Sequence, residues 1–179
     1  MTTSMSEVEI KLLVSQMDTA DSTVEEATWE KLRPLRECVV PYLLEFFPNA
    51  KKWQGRRTIV YHALKYARTS EAAFQLGIVA IKDKATMVRY RGCCVLAYSL
   101  RKDAIPHLTE LLKHEDKKSV EDARAAIDAI KNQNHHYFRD RDHTGKIVWN
   151  VNGENENSHQ ESWLNKILKS CHVTPNKKR

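Results

Sequence analysis

The stretch VRYRGCCVLAYSLRKDAIPHLTELLK, residues 88–113, decides how the chain is read. Its first half sets Val88, Gly92, Val95 and Leu96 at positions 0, 4, 7 and 8, the spacing of one α-helical face. Its second half repeats that logic with Ile105, Leu108, Leu111 and Leu112 behind Pro106. Proline in the first turn of a helix costs no hydrogen bond, because N–H groups there have no intrahelical acceptor. A helix, a short polar link and a second helix follow.

The same unit recurs along the chain. VEEATWEKL (24–32), RRTIVYHAL (56–64), VRYRGCCVL (88–96) and DARAAIDAI (122–130) share one pattern, with starts 32, 32 and 34 residues apart. EVEIKLLVS (7–15), VVPYLLEFF (39–47), AAFQLGIVA (72–80) and AIPHLTELL (104–112) form a second set in front of them, and Pro41 matches Pro106. Ser6 with Glu9, Thr23 with Glu26 and Ser119 with Asp122 supply cap signals at helix starts. A helix pair cannot cover its own apolar face, so successive pairs stack and share a core.

Residues 88–113 resemble a HEAT-like repeat, whose inner helix begins with Val-Arg and carries small residues followed by Leu. The pairing of Asp83 in the inter-helix turn with Arg89 is similar to the Asp/Arg ladder of that family. The resemblance spans residues 7–132, with Arg56 standing where the pattern has Val and Ala123 where it has Arg. It implies an all-α fold: an α-solenoid of about four helix pairs over residues 1–134. It also implies a concave surface, lined by the second helices, that binds proteins or, in some branches, nucleic acid. No activity follows from it alone.

Composition narrows the function. Five glycines and five prolines in 179 residues are too few for a sandwich or barrel, which needs a turn signal every 8–12 residues or so. The longest apolar runs, such as IVAI (78–81) and CCVLAY (93–98), are too short to span a bilayer. The N-terminus shows no basic region followed by an apolar one, so a signal peptide is not expected. Cysteines at 38, 93, 94 and 171 lack metal-type spacing, and reduced thiols in a cytoplasmic protein are the expectation. The net charge of +6 is concentrated in the middle of the chain: residues 51–102 carry 12 basic and 2 acidic side chains, residues 1–50 carry 4 and 9. Such a block steers anionic partners toward itself.

Opposite the apolar stripe of each second helix lie Ile59, His62 and Tyr66 in one copy, and Arg91, Cys94 and Tyr98 in the next. Lys65, Arg68, Arg101 and Lys102 would rim them with positive charge, while Glu30 and Asp128 mark acidic flanks. These residues are the expected partner-binding set, with the two tyrosines as anchors. The expected partner is an acidic protein, and an immunity protein that sequesters a toxin is one specific form of that role. Nucleic-acid binding, including a DNA-glycosylase-like function, is the alternative; the acidic flanks count against a continuous basic path.

After Asn134 the pattern changes. HHYFRDR (135–141) and KIVWNVN (146–152) flank a short loop and suggest a β-hairpin whose Ile147, Trp149 and Val151 would seal the last repeat. Residues 158–173 suggest an amphipathic helix, with Trp163, Leu164, Ile167, Leu168 and Cys171 on one stripe, so residues 135–179 read as a cap with a short tail. DRDHTG (140–145) resembles half of a calcium loop, but the twelfth position is Val151 where that loop needs Glu. It reads as turn chemistry, in which Asp140→Ala would do little. His135, His136, His143, His159 and His172 show no metal-ligand spacing. Nucleophile-elbow, phosphate-loop and HExxH motifs are absent from the sequence, so no catalytic residue, metal or cofactor is expected.

Overall fold

The computed structural model describes residues 5–151. They form α1 (Glu7–Gln16), α2 (Ser22–Leu32), α3 (Val40–Phe46), α4 (Trp53–Ala63), α5 (Glu71–Ala80), α6 (Thr86–Ser99), α7 (Ile105–Leu111) and α8 (Lys117–Lys131), with short 3-10 turns between and after them. The fold is all-α: no strand occurs among the described residues.

Helix starts follow local chemistry. Ser6 and Glu9 close a full capping box on α1, with Ser6 N–H donating to Glu9 Oε2 at 2.8 Å. Pro41 and Pro106 sit in the first turns of α3 and α7. The caps of α2 and α8 differ from the sequence expectation. Asp21 accepts from the N–H groups of Thr23 and Val24, and Asp116 accepts from that of Lys118. In both cases a carboxylate stands just upstream of the expected hydroxyl and suits the positive helix end better.

The helices pack in two layers. α1 lies on α3 and α3 on α5; α4 lies on α6 and α6 on α8; α1·α2, α3·α4, α5·α6 and α7·α8 join the layers. Fully buried Leu32, Leu43, Ile59, Leu76, Leu96, Leu108 and Ile130 form a core continuous along the array. α6 is its centre, buried from Gly92 through Ser99. A Cβ on Gly92 would stand 2.8 Å from the backbone nitrogen of Ile81, so the α5–α6 approach requires glycine there.

A polar ladder runs through the inter-helix turns. Asp18 accepts from the Lys51 and Lys52 N–H groups at 2.9 and 2.8 Å. Arg56 grips Asp83 with two hydrogen bonds of 2.6 and 3.1 Å, and also donates to the carbonyls of Ala50 and Lys51. Arg89 donates to the Asp116 carboxylate, to Ser119 Oγ and to the Asp83 carbonyl, each at 2.7 Å. The expected Asp83–Arg89 pair is therefore made through the main chain only, and the Asp83 carboxylate belongs to Arg56. Arg56, not Arg57, is the counterpart of Arg89, so this copy is offset by one residue from the sequence alignment. Position 122, a further 33 residues on, reverses the sign: buried Asp122 receives Arg141 at 2.6 Å.

The expected β-hairpin is not formed. Residues His135–Phe138 make a 3-10 turn, capped by Asn134 Oδ1, which accepts from the His136 N–H. Asp140, 1% exposed, then accepts from the Thr144 N–H, the Thr144 hydroxyl and the Gly145 N–H. Burial alone would push this carboxyl up, but the hydrogen bonds outweigh it and hold it below the ordinary value. Asp140 thus closes a turn with its whole carboxylate, and the expectation that alanine would do little there is revised. Residues 146–151 run extended, and the Trp149 backbone bonds to histidine rings instead of a neighbouring strand. Ile147 and Val148 face solvent, and Trp149 packs on Phe138 and Tyr98. The segment expected as a terminal helix, residues 158–173, lies outside the described residues.

Candidate functional site

α4 presents Trp53, Arg57 and Tyr61 at a spacing of four, one stripe of a helix. Trp53 is 41% and Tyr61 50% exposed, high for rings of this size. Each ring carries a guanidinium: Arg57 lies 5.5 Å from the Trp53 centroid and Arg91 lies 4.8 Å from Tyr61. Arg91 also stands over Tyr90 at 5.5 Å, and Tyr90 Oη accepts from Arg139 at 2.6 Å. The result is an aromatic–arginine stripe from α4 through α6 to the C-terminal segment. Cation–π contact holds long guanidinium groups in place and leaves their N–H edges available to an anion.

Beside Tyr61 is a cavity of about 380 Å³ between α2 and α4. Its walls include Glu25, Trp29, Arg33, His62 and Lys65, and Val151 closes one side. His62 Nε2 lies 2.6 Å from Glu25 Oε1, and its ring stacks on Trp29 with centroids 3.7 Å apart. Burial lowers the His62 pKa, against an opposing pull from Glu25.

The expected binding residues scatter. Ile59 is fully buried and belongs to the core, because the one-residue offset in α4 turns it inward. Tyr66 and Tyr98 are buried at 7% and 6% exposure, so neither ring stands out as an anchor. Arg68 lies 4.3 Å over Tyr98 and donates to the Tyr98 carbonyl at 3.0 Å. His62 and Lys65 meet in the cavity wall, and Arg91 joins the aromatic stripe. Arg101 is engaged by Glu71 and Asp103 and covers Phe74 at 3.6 Å; Lys102 is exposed beside it. No family model, curated protein or solved structure matches this chain.

Trp53, Arg57, Tyr61, Tyr90 and Arg139 were not among the residues expected from sequence. The signal was there: Trp53, Arg57 and Tyr61 recur every four residues. The misplaced copy hid it by assigning the solvent face to Ile59. Cys94, also placed on that face, is buried and its thiol is pushed up to about 12 by desolvation. Among the described residues no cluster of three His, Cys, Asp or Glu side chains could hold a metal, and no helix is long and apolar enough to cross a membrane.

Proposed function

We propose that this chain is a HEAT-like α-solenoid that binds an acidic protein partner and carries out no chemistry of its own. The observation that carries this reading is the exposed stripe of Trp53, Arg57, Tyr61, Arg91, Tyr90 and Arg139, where large rings hold arginines toward solvent. Aromatic and arginine side chains are the commonest anchors of protein interfaces. The repeat reading is supported by the 33-residue recurrence of Arg56 and Arg89 and of Asp83 and Asp116 in equivalent bonds. An inhibitor that sequesters a toxin is the specific form we favour, acting in the cytoplasm. The buried, weakly acidic thiols of Cys93 and Cys94 are compatible with that compartment.

Exposed rings between arginines also favour single-stranded nucleic acid, on which bases stack. Against it, the first 50 residues are acidic and Glu25 and Glu26 border the stripe at the cavity. Capture from the source organism's extract with wild-type and Arg57→Glu/Arg91→Glu protein, read by quantitative mass spectrometry, separates the two. We expect an acidic protein to be lost from the variant. Equal capture by both proteins removes this face as the site, and nuclease-sensitive capture replaces protein by nucleic acid.

A further inference from the structure

Residues 146–151 cross α6 as a strap, and two adjacent histidines grip its backbone. The Trp149 N–H donates to His136 Nδ1 at 3.0 Å. The Trp149 carbonyl accepts from His135 Nε2 at 3.1 Å. On its other side His135 Nδ1 accepts from Arg68 Nη2 at 2.9 Å. Arginine can only donate and a carbonyl can only accept, so His135 is neutral with its proton on Nε2. His136 must likewise keep Nδ1 without a proton. The Trp149 ring is 5.3 Å from Phe138 and 6.2 Å from Tyr98, and the strap ends at Val151 in the cavity wall.

We propose that His135 and His136 form an acid-sensitive latch that holds this strap over Tyr98, Arg68 and the mouth of the cavity. A proton on His136 Nδ1 replaces an acceptor by a donor facing the Trp149 N–H, and the contact becomes repulsive. His135 faces Arg68, the Tyr98 ring at 5.2 Å and the His136 ring at 4.0 Å. The Arg68 guanidinium occupies the one His135 nitrogen that could take a proton, so His136 is where the latch opens. Neighbouring charges turn elsewhere: Arg139 donates to Tyr90, and His143 pairs with Asp128. Strap release uncovers basic and aromatic surface next to the stripe. That the latch thereby gates partner binding rests on the protein-binding reading; the latch itself does not.

Long-range ¹H–¹⁵N NMR of the imidazoles in the full chain, combined with hydrogen exchange at the Trp149 amide from about pH 8 to about pH 5, tests it. At the upper pH both rings should show the Nε2–H tautomer. Trp149 protection, corrected for intrinsic exchange, should fall roughly tenfold as His136 protonates. His136→Asn offers a carboxamide oxygen near the place of Nδ1 and should keep protection while abolishing the pH step. Protection unchanged through the His136 titration, or a pH step surviving in His136→Asn, overturns the latch. An intact step in a protein that captures no partner at any pH keeps the latch and removes the binding reading.

Discussion

Replacing Asp83 by alanine should cost the protein about 3–5 kcal/mol. Both oxygens of this carboxylate are used: Oδ2 accepts from Arg56 Nε at 2.6 Å, and Oδ1 accepts from Arg56 Nη2 at 3.1 Å and from the Ala85 N–H at 2.8 Å. Both side chains of the pair are 8% exposed. Burial decides the magnitude, since the same pair at the surface would be worth at most about 1 kcal/mol. Without Asp83 the Arg56 charge stays buried against the Ala50 and Lys51 carbonyls with no counter-charge. At about 2–4 °C per kcal/mol for a chain of this size, Tm should drop by roughly 6–20 °C. Urea unfolding followed by circular dichroism, on wild type, Asp83→Ala, Arg56→Met and the double variant, measures the cost and the coupling. The double variant should lose less than the sum of the singles, because it removes the stranded charge too. An Asp83→Ala cost below about 1 kcal/mol, or strict additivity, refutes the reasoning.

Gly92→Ala should destabilise by about 1–3 kcal/mol, because the new methyl meets Ile81 backbone that cannot move aside; thermal melts check it. Asp140 is held below its ordinary carboxylate value in the fold, so its contribution is complete above that value and is lost as pH falls through the lowered one. Acid titration of Asp140→Asn should therefore show a shallower loss of Thr144 and Gly145 amide protection than wild type. His62 has a folded pKa below the model value of 6.5, so stability should decrease as pH falls from there to the lowered value and stay level below it. NMR titration of His62, with His62→Gln removing the pH dependence in melts, checks the sign. Tyr61→Ala should leave stability nearly unchanged while releasing Arg91 from its ring, visible as faster side-chain motion by ¹⁵N relaxation of the guanidinium.

The helical content was legible because period and punctuation agree: α6 and α7 are bounded by the link around Lys102 and by Pro106, and both helices lie within the 88–113 stretch. The caps were half legible. Ser6 and Glu9 satisfy each other, but Thr23 and Ser119 lose to Asp21 and Asp116, since a neutral hydroxyl competes poorly with an upstream carboxylate. The hairpin expectation failed for a non-local reason. KIVWNVN alternates like a strand, yet its backbone partners are the side chains of His135 and His136, which no pairwise pattern encodes. The binding stripe was missed through register. Arg56 breaks the hydrophobic pattern because it is buried in the ladder, and aligning it as an apolar position displaced α4 by one residue. One residue is 100° on a helix, enough to exchange Tyr61 for Ile59.

The ladder also governs how an array like this can change in length. Each guanidinium bonds the carboxylate 27 positions ahead, and the motif returns every 33 residues. A tandem duplication of residues 84–116 would hand every new Arg89 its own Asp116 and leave the junctions charge-balanced. Duplicating the block that follows would instead set a second Asp122 with no arginine at the matching position, since Arg141 serves only the original. Copy number can therefore grow from the interior of the chain, and the terminus is chemically closed to it.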